Sequence, residues 1–255
     1  MLEIINLSKR YENGVLAVDR LTLTVEPGEI FVMLGANGAG KTTTMMCVLG
    51  FTEPTEGTAK IMDIDITKNP LEAKKHVAYV SENVRLYGNF TAKQNLDFFT
   101  RLAGRTHVSN QEYEQVLERV GLARDAFMRR LKGFSKGMRQ RLGIAIAIMK
   151  QAEVILLDEP TSGLDPKGGV EFLQLLAELR QEGKVIFMTS HDIFRAREIA
   201  DRVGIMSNGR MLHVITRKEI DDRQVDLSEL YIQVIEMSLA NADAGVEAST
   251  GSSSS

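Results

Sequence analysis

Apolar residues in the first part of the chain are grouped as they are in β-strands. The segments "LEIINL" (2–7) and "LTLTV" (21–25) alternate apolar and polar residues or run nearly continuously apolar. A turn at "EPGE" leads into "IFVML" (30–34), whose unbroken apolar run predicts a strand buried on both faces. A glycine-rich loop and a short helix that ends at Gly50 are expected to follow.

From about residue 85 to residue 150 the pattern changes to the spacing of helices. Thr91 and Gln94 have the spacing of a capping box ahead of "NLDFFTRLA". A second helical stripe stops at Gly121 and consists of Tyr113, Val116, Leu117 and Val120. These features predict a helical lobe in the middle of the chain.

The strand pattern returns after this helical segment. The runs "VILLDE" (154–159) and "KVIFMTS" (184–190) predict two buried strands. A helix from Pro166 to Glu182 is expected between them. This strand–helix–strand order is typical of a parallel sheet.

The C-terminal part of the chain predicts a hairpin, a helix and a polar tail. The segment "VGIMSNGRMLHV" (203–214) predicts a hairpin that turns at Asn208-Gly209. The apolar positions of an amphipathic helix follow at Leu227, Leu230, Tyr231, Val234 and Ile235. Residues 238–255 are small and polar without periodicity, so we expect a disordered tail after residue 237.

Composition restricts the class of protein. With 255 residues, 44% of them apolar, the chain can bury a core as one large domain or as one domain with an inserted lobe. The net charge of −3 disfavours a general nucleic-acid binder, so no nucleic-acid partner is expected. The single cysteine, Cys47, is expected in the core of a protein from a reducing compartment. Without a signal sequence or a membrane-spanning run, the chain is expected to be soluble and cytoplasmic.

The segment "GANGAGKT" (35–42) carries the clearest chemical signal. It follows an apolar strand and opens a helix, which is the context of a P-loop and disfavours an ordinary glycine-rich turn. Lys41 would neutralise the outer phosphates of a nucleotide, and the Thr42 hydroxyl would ligate Mg²⁺. The residues expected to bind the nucleotide here are Gly35, Asn37, Gly38, Ala39, Gly40, Lys41, Thr42 and Thr43.

Two adjacent acids, Asp158 and Glu159, end a predicted buried strand. Open α/β sheets bind ligands at this edge, and in P-loop proteins such an aspartate holds Mg²⁺. Because neighbouring side chains on a strand point in opposite directions, Glu159 is expected to polarise the attacking water as a general base. Alone they would be ordinary surface acids, but together with the P-loop they predict a catalytic centre.

The order and spacing of these motifs over residues 2–220 resemble the ATP-binding subunit of an ABC transporter. The resemblance implies an α/β fold: a P-loop NTPase core with an antiparallel β subdomain and an inserted all-helical signature subdomain at about 85–150. The domain would span residues 1–237. The resemblance also implies ATP and Mg²⁺ as cofactors, a second copy of the chain in a head-to-tail homodimer, and an integral membrane permease subunit as partner.

The segment "FSKGMRQ" (134–140) lies where this family has its signature, usually LSGGQ. In the family's dimers the signature reaches the γ-phosphate that the other subunit's P-loop binds. The resemblance therefore implies phosphate contacts from Ser135 and from the N–H of Gly137, at the positive end of a helix. Ser135 is also the expected N-cap of that helix, and the two roles are compatible.

Three further positions match the family one by one. Tyr11 matches the aromatic residue that stacks on adenine, a contact typically worth about 1–3 kcal/mol, although tyrosine at a strand end is common. Asp165, in "SGLDP", matches the D-loop that touches the partner subunit, and it is also a favourable N-cap before Pro166. His191 matches the switch histidine that contacts the γ-phosphate. The implied catalytic residues are Glu159, His191 and Lys41.

Three residues depart from the family pattern. Glu82, in "VAYVSENV", replaces the usual glutamine, and it is expected to ligate Mg²⁺ with Thr42 and Asp158 while adding negative charge beside the phosphates. Lys136 and Met138 replace a glycine and a glutamine of the signature. These variants resemble the subfamily of two-component exporters, whose ATPase and membrane subunits are separate chains.

We therefore expect a subunit that hydrolyses ATP to power an exporter at the cytoplasmic face of the membrane. The segment Val84–Leu102 would dock the permease, which would select the cargo. A soluble ABC ATPase of an assembly or repair complex is the alternative, since the sequence does not exclude such a partner. A nucleotide kinase would leave the signature and His191 unexplained.

Overall fold

The computed structural model describes residues 1–250, with side chains described through residue 240. The strands of this part of the chain are β1 (Leu2–Arg10), β2 (Leu16–Val25), β3 (Ile30–Leu34), β4 (Glu56–Ile61), β5 (Ile64–Asp65), β6 (Val77–Val80), β7 (Val154–Asp158), β8 (Val185–Ser190), β9 (Arg202–Ser207) and β10 (Arg210–Thr216). The α-helices are α1 (Lys41–Val48), α2 (Pro70–His76), α3 (Ala92–Leu102), α4 (Asn110–Arg119), α5 (Lys136–Lys150), α6 (Pro166–Gln181), α7 (Ile193–Ile199), α8 (Arg217–Asp222) and α9 (Leu227–Thr250). Short 3-10 helices lie at Arg124–Ala126 and Leu131–Gly133.

The strands form two sheets. The first is antiparallel, with four strands in the order β2-β1-β4-β5. The second has six strands in the order β10-β9-β3-β8-β7-β6, and all its neighbours pair in parallel except the terminal hairpin of β9 and β10. That hairpin turns at Asn208 (φ 48°) and Gly209 (φ 80°), because a two-residue turn of this kind needs positive φ at both positions. The predicted hairpin is confirmed.

Strand β3 shows why its sequence is apolar at every position. Ile30, Val32 and Leu34 join a core formed with the helices. Phe31 and Met33 point the other way, into a second core that the antiparallel sheet covers. A strand covered on both faces has no side that can carry polar residues, and all five side chains are buried.

The second core also contains Cys47, as predicted. Its side chain is fully buried, and burial raises the pKa of the thiol to about 11. Phe31 of β3 and Phe187 of β8 stack nearby in the same core, with their ring centroids 5.8 Å apart. Cys47 is therefore a protonated packing residue.

Every element between β6 and β7 is helical, so the inserted helical subdomain is confirmed. The predicted capping box forms at the start of α3: the Thr91 hydroxyl accepts from the N–H of Gln94 at 3.1 Å, and the Gln94 side chain accepts from the N–H of Thr91 at 2.9 Å. Ser135 caps α5 by accepting from the N–H of Met138 at 3.2 Å. Both helix caps that the sequence predicts in this segment are therefore present in the structure.

The C-terminal helix corrects one expectation. The chain was expected to become a disordered tail after residue 237, but α9 continues to Thr250. The extension contains several alanines, the residue with the highest helix propensity, and this preference does not require an apolar stripe. Residues 251–255 of the expected tail lie outside the described residues. Among the helices described, none is long and apolar enough to cross a bilayer.

Candidate functional site

The loop between β3 and α1 lies so close to neighbouring backbone carbonyl groups that a larger residue at either of two of its glycines would displace them. A Cβ atom at Gly35 would lie 2.4 Å from the carbonyl oxygen of Met206, and one at Gly40 would lie 2.3 Å from that of Ala17. Gly40 is also left-handed, with φ 107°, and it precedes α1 without providing a side-chain cap. The N–H groups of the first turn are therefore left for a ligand, as in a phosphate-binding loop.

Lys41 folds back over this loop and is only 6% exposed. Its ammonium donates to the carbonyl oxygens of Gly35 at 2.6 Å and Ala36 at 3.2 Å. It also lies 3.4 Å from Oε1 of Glu159. In this structure the positive charge is thus balanced by backbone dipoles and by the predicted general base.

Asp158 is held from three sides. Its Oδ1 accepts from the Thr189 hydroxyl at 2.7 Å, and its Oδ2 accepts from Thr42 at 3.2 Å and from Tyr79 at 3.4 Å. Burial, followed by the nearby charge of Asp158, raises the pKa of Tyr79, so its hydroxyl remains a donor. The structure therefore brings Thr42 and Asp158 together as predicted.

This pair of oxygen ligands fits Mg²⁺. A hydroxyl and a carboxylate are hard donors, and Mg²⁺ bound with a nucleotide takes few protein ligands because phosphates and water supply the rest. The metal roles of Thr42 and Asp158 stay predictions.

Glu159 reaches its position by a different route from the one predicted. Alternation along a strand would point Glu159 away from Asp158. However, β7 ends at Asp158, and Glu159 is left-handed, with φ 46°. Its N–H donates to the Thr189 hydroxyl at 3.0 Å. Its Oε2 lies 2.8 Å from Nδ1 of His191 and 3.3 Å from the backbone N of that residue. A non-glycine residue in this conformation costs on the order of 1–3 kcal/mol, a strain typical of functional sites.

One carboxylate oxygen of Glu159, Oε1, has no hydrogen-bond donor among the described residues. This oxygen is buried, and the Lys41 ammonium lies within ion-pair distance of it. A cavity of about 380 Å³ opens here, and its wall contains the P-loop, Asp158 and Glu159. The predicted catalytic residues Lys41, Glu159 and His191 therefore meet at one place.

Glu82 contributes to the wall of the same cavity, but it does not pair with Thr42 or Asp158. Its Oε1 lies 3.1 Å from the Lys136 ammonium and accepts from the Ser162 hydroxyl at 3.1 Å. Lys136 is the main cause of the lowered pKa of Glu82. The expected Mg²⁺ role of Glu82 stays a prediction, and in this structure the carboxylate is engaged elsewhere.

Tyr11 lies beside the P-loop. Its hydroxyl is 3.4 Å from that of Thr43, and the Lys9 ammonium lies over its ring at 5.4 Å from the centroid. The ring is partly exposed and accessible to a planar ligand. Its stacking role stays a prediction.

The signature residues lie away from the P-loop of their own protomer. Ser135 and Gly137 line a separate cavity of about 480 Å³, together with Asp165. That cavity shares none of its lining residues with the cavity at the P-loop. Asp165 caps α6, accepting from the N–H of Gly168 at 2.7 Å, so its structural role is confirmed and its contact with a partner subunit stays a prediction.

Two residues of the site were missed in the sequence. Thr189 holds both acids through its hydroxyl, and Tyr79 donates to Asp158 from β6. The polar end of "VIFMTS" was a usable signal for Thr189, because polar residues at the carboxyl end of a buried parallel strand face the ligand edge. No comparable signal marks Tyr79, which sits within an otherwise apolar strand.

Comparison with known proteins agrees with this geometry. Residues 18–162 match the family described as "ABC transporter". The bacitracin transport ATP-binding protein BcrA of Enterococcus faecalis is 36% identical over 230 residues, which cover 90% of this chain and 73% of that protein. The ABC transporter ATP-binding protein NatA of Bacillus subtilis is 34% identical over 239 residues, covering 91% and 97%.

A solved structure shows the same fold. It is the dimer of an ATP-binding cassette in a post-hydrolysis state bound to ADP and Pi, with a TM-score of 0.78 and 26% identity over 85% of this chain and 99% of that chain. Its nucleotide products match the chemistry that the P-loop and the two acids predict here. Fold, site and relatives lead to one conclusion: this chain belongs to the ABC transporter family, as an ATP-binding and ATP-hydrolysing subunit of the exporter type.

Proposed function

We propose that this chain works as a head-to-tail homodimer on the cytoplasmic face of the membrane, where it powers a separate integral membrane permease. The observation that carries the proposal is the separation of the two cavities. Ser135 and Gly137 present a hydroxyl and a helix N-terminus to a cavity that the P-loop of the same protomer does not enter. A second copy in the opposite orientation supplies the missing half of each site.

Each residue of the P-loop side then has a definite task. The N–H groups of the loop and Lys41 bind the β- and γ-phosphates, and Tyr11 stacks on the adenine. Thr42 and Asp158 would hold Mg²⁺, which would neutralise charge that develops on the phosphates. Thr189 and Tyr79 orient Asp158 through their hydroxyl groups.

ATP itself completes the general base. In the structure the Lys41 ammonium lies 3.4 Å from Oε1 of Glu159 and pairs with its carboxylate. The γ-phosphate offers Lys41 a stronger partner, which frees Oε1 of Glu159 to accept a proton from water. His191 keeps the other carboxylate oxygen in place through its 2.8 Å contact. Hydrolysis is thereby tied to occupancy of the P-loop.

Dimer closure transmits the energy of ATP binding. ATP held between a P-loop and the opposite Ser135 contacts protein on both sides, whereas in separated protomers it contacts one. A ligand shifts an equilibrium only through such a difference in affinity, so ATP favours the closed dimer. Hydrolysis removes the γ-phosphate that bridges the two protomers, and the dimer then reopens.

The helical subdomain offers a surface for the permease. In the segment Val84–Leu102, the rings of Tyr87 and Phe98 lie 5.0 Å apart, and Tyr87 and Phe90 lie 5.2 Å apart. All three rings are partly exposed, and Leu102 is 72% exposed. Grouped exposed apolar side chains mark interaction sites, which supports docking through this segment.

The variant Glu159→Gln tests the ATPase dimer. It removes the proton acceptor but leaves the phosphate contacts, so ATP should be retained in a stable dimer that light scattering after size-exclusion chromatography detects. Glu178→Gln, an exposed position on α6, serves as the control and should turn over like the wild type. A Glu159→Gln protein that stays monomeric in ATP and hydrolyses at the full rate would contradict the assignment.

The partner is tested separately. The chain is tagged at its native expression level, membranes are solubilised in mild detergent, and retained proteins are identified by mass spectrometry. Recovery of a multi-spanning protein supports the transport role and points to the cargo. Recovery of only a cytosolic partner from a wholly soluble pool keeps the ATPase chemistry and overturns the transport role.

A further inference from the structure

Two of the three departures from the family's pattern, Glu82 and Lys136, meet in space. Glu82 replaces a glutamine and Lys136 replaces a glycine of the signature, and their carboxylate and ammonium groups lie 3.1 Å apart. The same carboxylate oxygen accepts from Ser162 in the loop after β7. One atom of Glu82 therefore joins the loop after β6, the start of α5 and the segment that leads to Asp165.

A second contact ties the same two segments together. Gln140, one turn after Lys136 on α5, is fully buried and donates to the carbonyl oxygens of Ser81 at 3.1 Å and Glu82 at 2.8 Å. The stem of Lys136 passes over Gly163, where a Cβ atom would lie 3.5 Å from its Cδ. The ammonium is thus guided to Glu82 by packing as well as by charge.

The position of the pair indicates what it does. Glu82 contributes to the wall of the cavity at the P-loop, and Lys136 to that of the signature cavity. An unpaired carboxylate beside the P-loop would repel the phosphates of a nucleotide. Without its ion pair, Lys136 would no longer hold the start of the signature helix against Glu82. The two side chains are 42% and 30% exposed, so the pair adds little to global stability.

We propose that Glu82 and Lys136 are a matched pair of positioning residues, which neutralises the acid at the P-loop cavity and fixes the start of the signature helix against it. Neither substitution is then neutral without the other. The pairing lies within one protomer and needs only the P-loop and the helical subdomain. The effect of this pairing on how Ser135 contacts the nucleotide of the other protomer rests on the head-to-tail dimer proposed above.

A double-mutant cycle tests the pair. The variants are Glu82→Gln, Lys136→Gln and the double variant, and Lys132→Gln is the matched control because it removes an exposed charge from the same subdomain. The measurements are kcat and KM for ATP, the Kd of ATP in a Glu159→Gln background, and the melting temperature.

Lys136→Gln should raise KM and Kd for ATP about five-fold, because the carboxylate of Glu82 is left uncompensated. The double variant should recover most of that loss, although it removes a second charged group. Melting temperatures should change little across the cycle, and Lys132→Gln should behave like the wild type. A role in folding alone would change the melting temperature without this recovery.

Two results would overturn the proposal. One is a double variant in which the effects of the single changes simply multiply, since that shows no coupling. The other is a Lys136→Gln protein indistinguishable from Lys132→Gln. Because every Kd in the cycle is compared within the same Glu159→Gln background, the coupling of the pair can be judged whether or not that background forms a dimer in ATP.

Discussion

Nδ1 of His191 lies 2.8 Å from Oε2 of Glu159, across the edge where β7 and β8 end side by side. The backbone N–H of His191 points at the same oxygen from 3.3 Å. The histidine is 59% exposed, whereas the glutamate is 14% exposed. A solvent-exposed ring therefore orients a carboxylate that is otherwise enclosed.

Removing the imidazole ring of His191 should slow ATP hydrolysis much more than it weakens ATP binding. We expect His191→Ala to lower kcat about 100-fold, because Glu159 loses its orienting contact, while KM for ATP changes less than about two-fold. A phosphate-release assay under saturating ATP measures this. His191→Gln keeps a side-chain hydrogen-bonding group and should recover part of the rate; an unchanged kcat in His191→Ala would show that the contact does not serve catalysis.

Mixed dimers test whether the active site is shared between two copies. Lys41→Ala damages the P-loop half and Ser135→Arg damages the signature half, so each homodimer should be inactive. In an equal mixture half of the dimers are mixed and each retains one intact site, so about a quarter of the wild-type rate should return if the sites act independently.

The matched control for that experiment combines Lys41→Ala with Glu159→Gln. Both changes lie on the P-loop side, so neither site of the mixed dimer is intact and no activity should return. A Lys41→Ala and Ser135→Arg mixture that shows only the average of its two components would argue for sites completed within single protomers.

Thr189→Val tests the residue that joins the two acids. The substitution keeps the shape of the side chain but removes the hydroxyl that donates to Asp158 and accepts from the N–H of Glu159. The Mg²⁺ concentration for half-maximal ATPase should rise about ten-fold or more, as when other groups that orient metal ligands are lost. The unpaired N–H should also cost about 1–3 kcal/mol of unfolding free energy.

Thr189→Ser is the control, because it keeps the hydroxyl while losing a methyl group. It should require about as much Mg²⁺ as the wild type does. A Thr189→Val enzyme with an unaltered Mg²⁺ requirement would mean that Asp158 is positioned without Thr189.

Asp65 predicts how stability depends on acid pH. Burial opposes ionisation of its carboxylate, but hydrogen bonds from the Thr67 hydroxyl and N–H, from Thr58 and from the N–H of Lys68 outweigh it and lower the pKa of Asp65 to about 2. The contribution of ionised Asp65 to the free energy of unfolding is therefore complete above the carboxylate's unfolded pKa of 3.8. This contribution is lost as the pH falls through the folded pKa of about 2.

The comparison of wild type with Asp65→Asn measures this contribution. The wild type should be the more stable protein at pH 6, and the difference should shrink between pH 4 and pH 2 as Asp65 becomes protonated. Urea unfolding across this range gives the two free energies. A difference that stays constant down to pH 2 would show that the charge of Asp65 is not what stabilises the loop.

Local sequence signals predicted much of the fold because their interactions are local. The capping box of Thr91 and Gln94 and the hairpin turn at Asn208-Gly209 each depend on residues within a few positions of one another. The same holds for the P-loop, whose glycines and Lys41 act in one continuous loop. The extension of α9 beyond residue 237 depends on alanine helix propensity, which is local but leaves no apolar periodicity in the sequence.

The chemical groups of the site can be identified in the primary structure: a phosphate loop, two acids at a strand end, a histidine after the next strand and a capped signature helix. Their mutual arrangement depends on tertiary packing. Thr189 reaches both acids because β7 and β8 pair in parallel, and Glu82 reaches Lys136 across 54 positions of the chain. Such contacts depend on sheet order and on helix packing, which the residues of either segment do not encode locally. The physical reason is that periodicity and capping fix short-range geometry, whereas burial of two separate cores fixes which distant segments become neighbours.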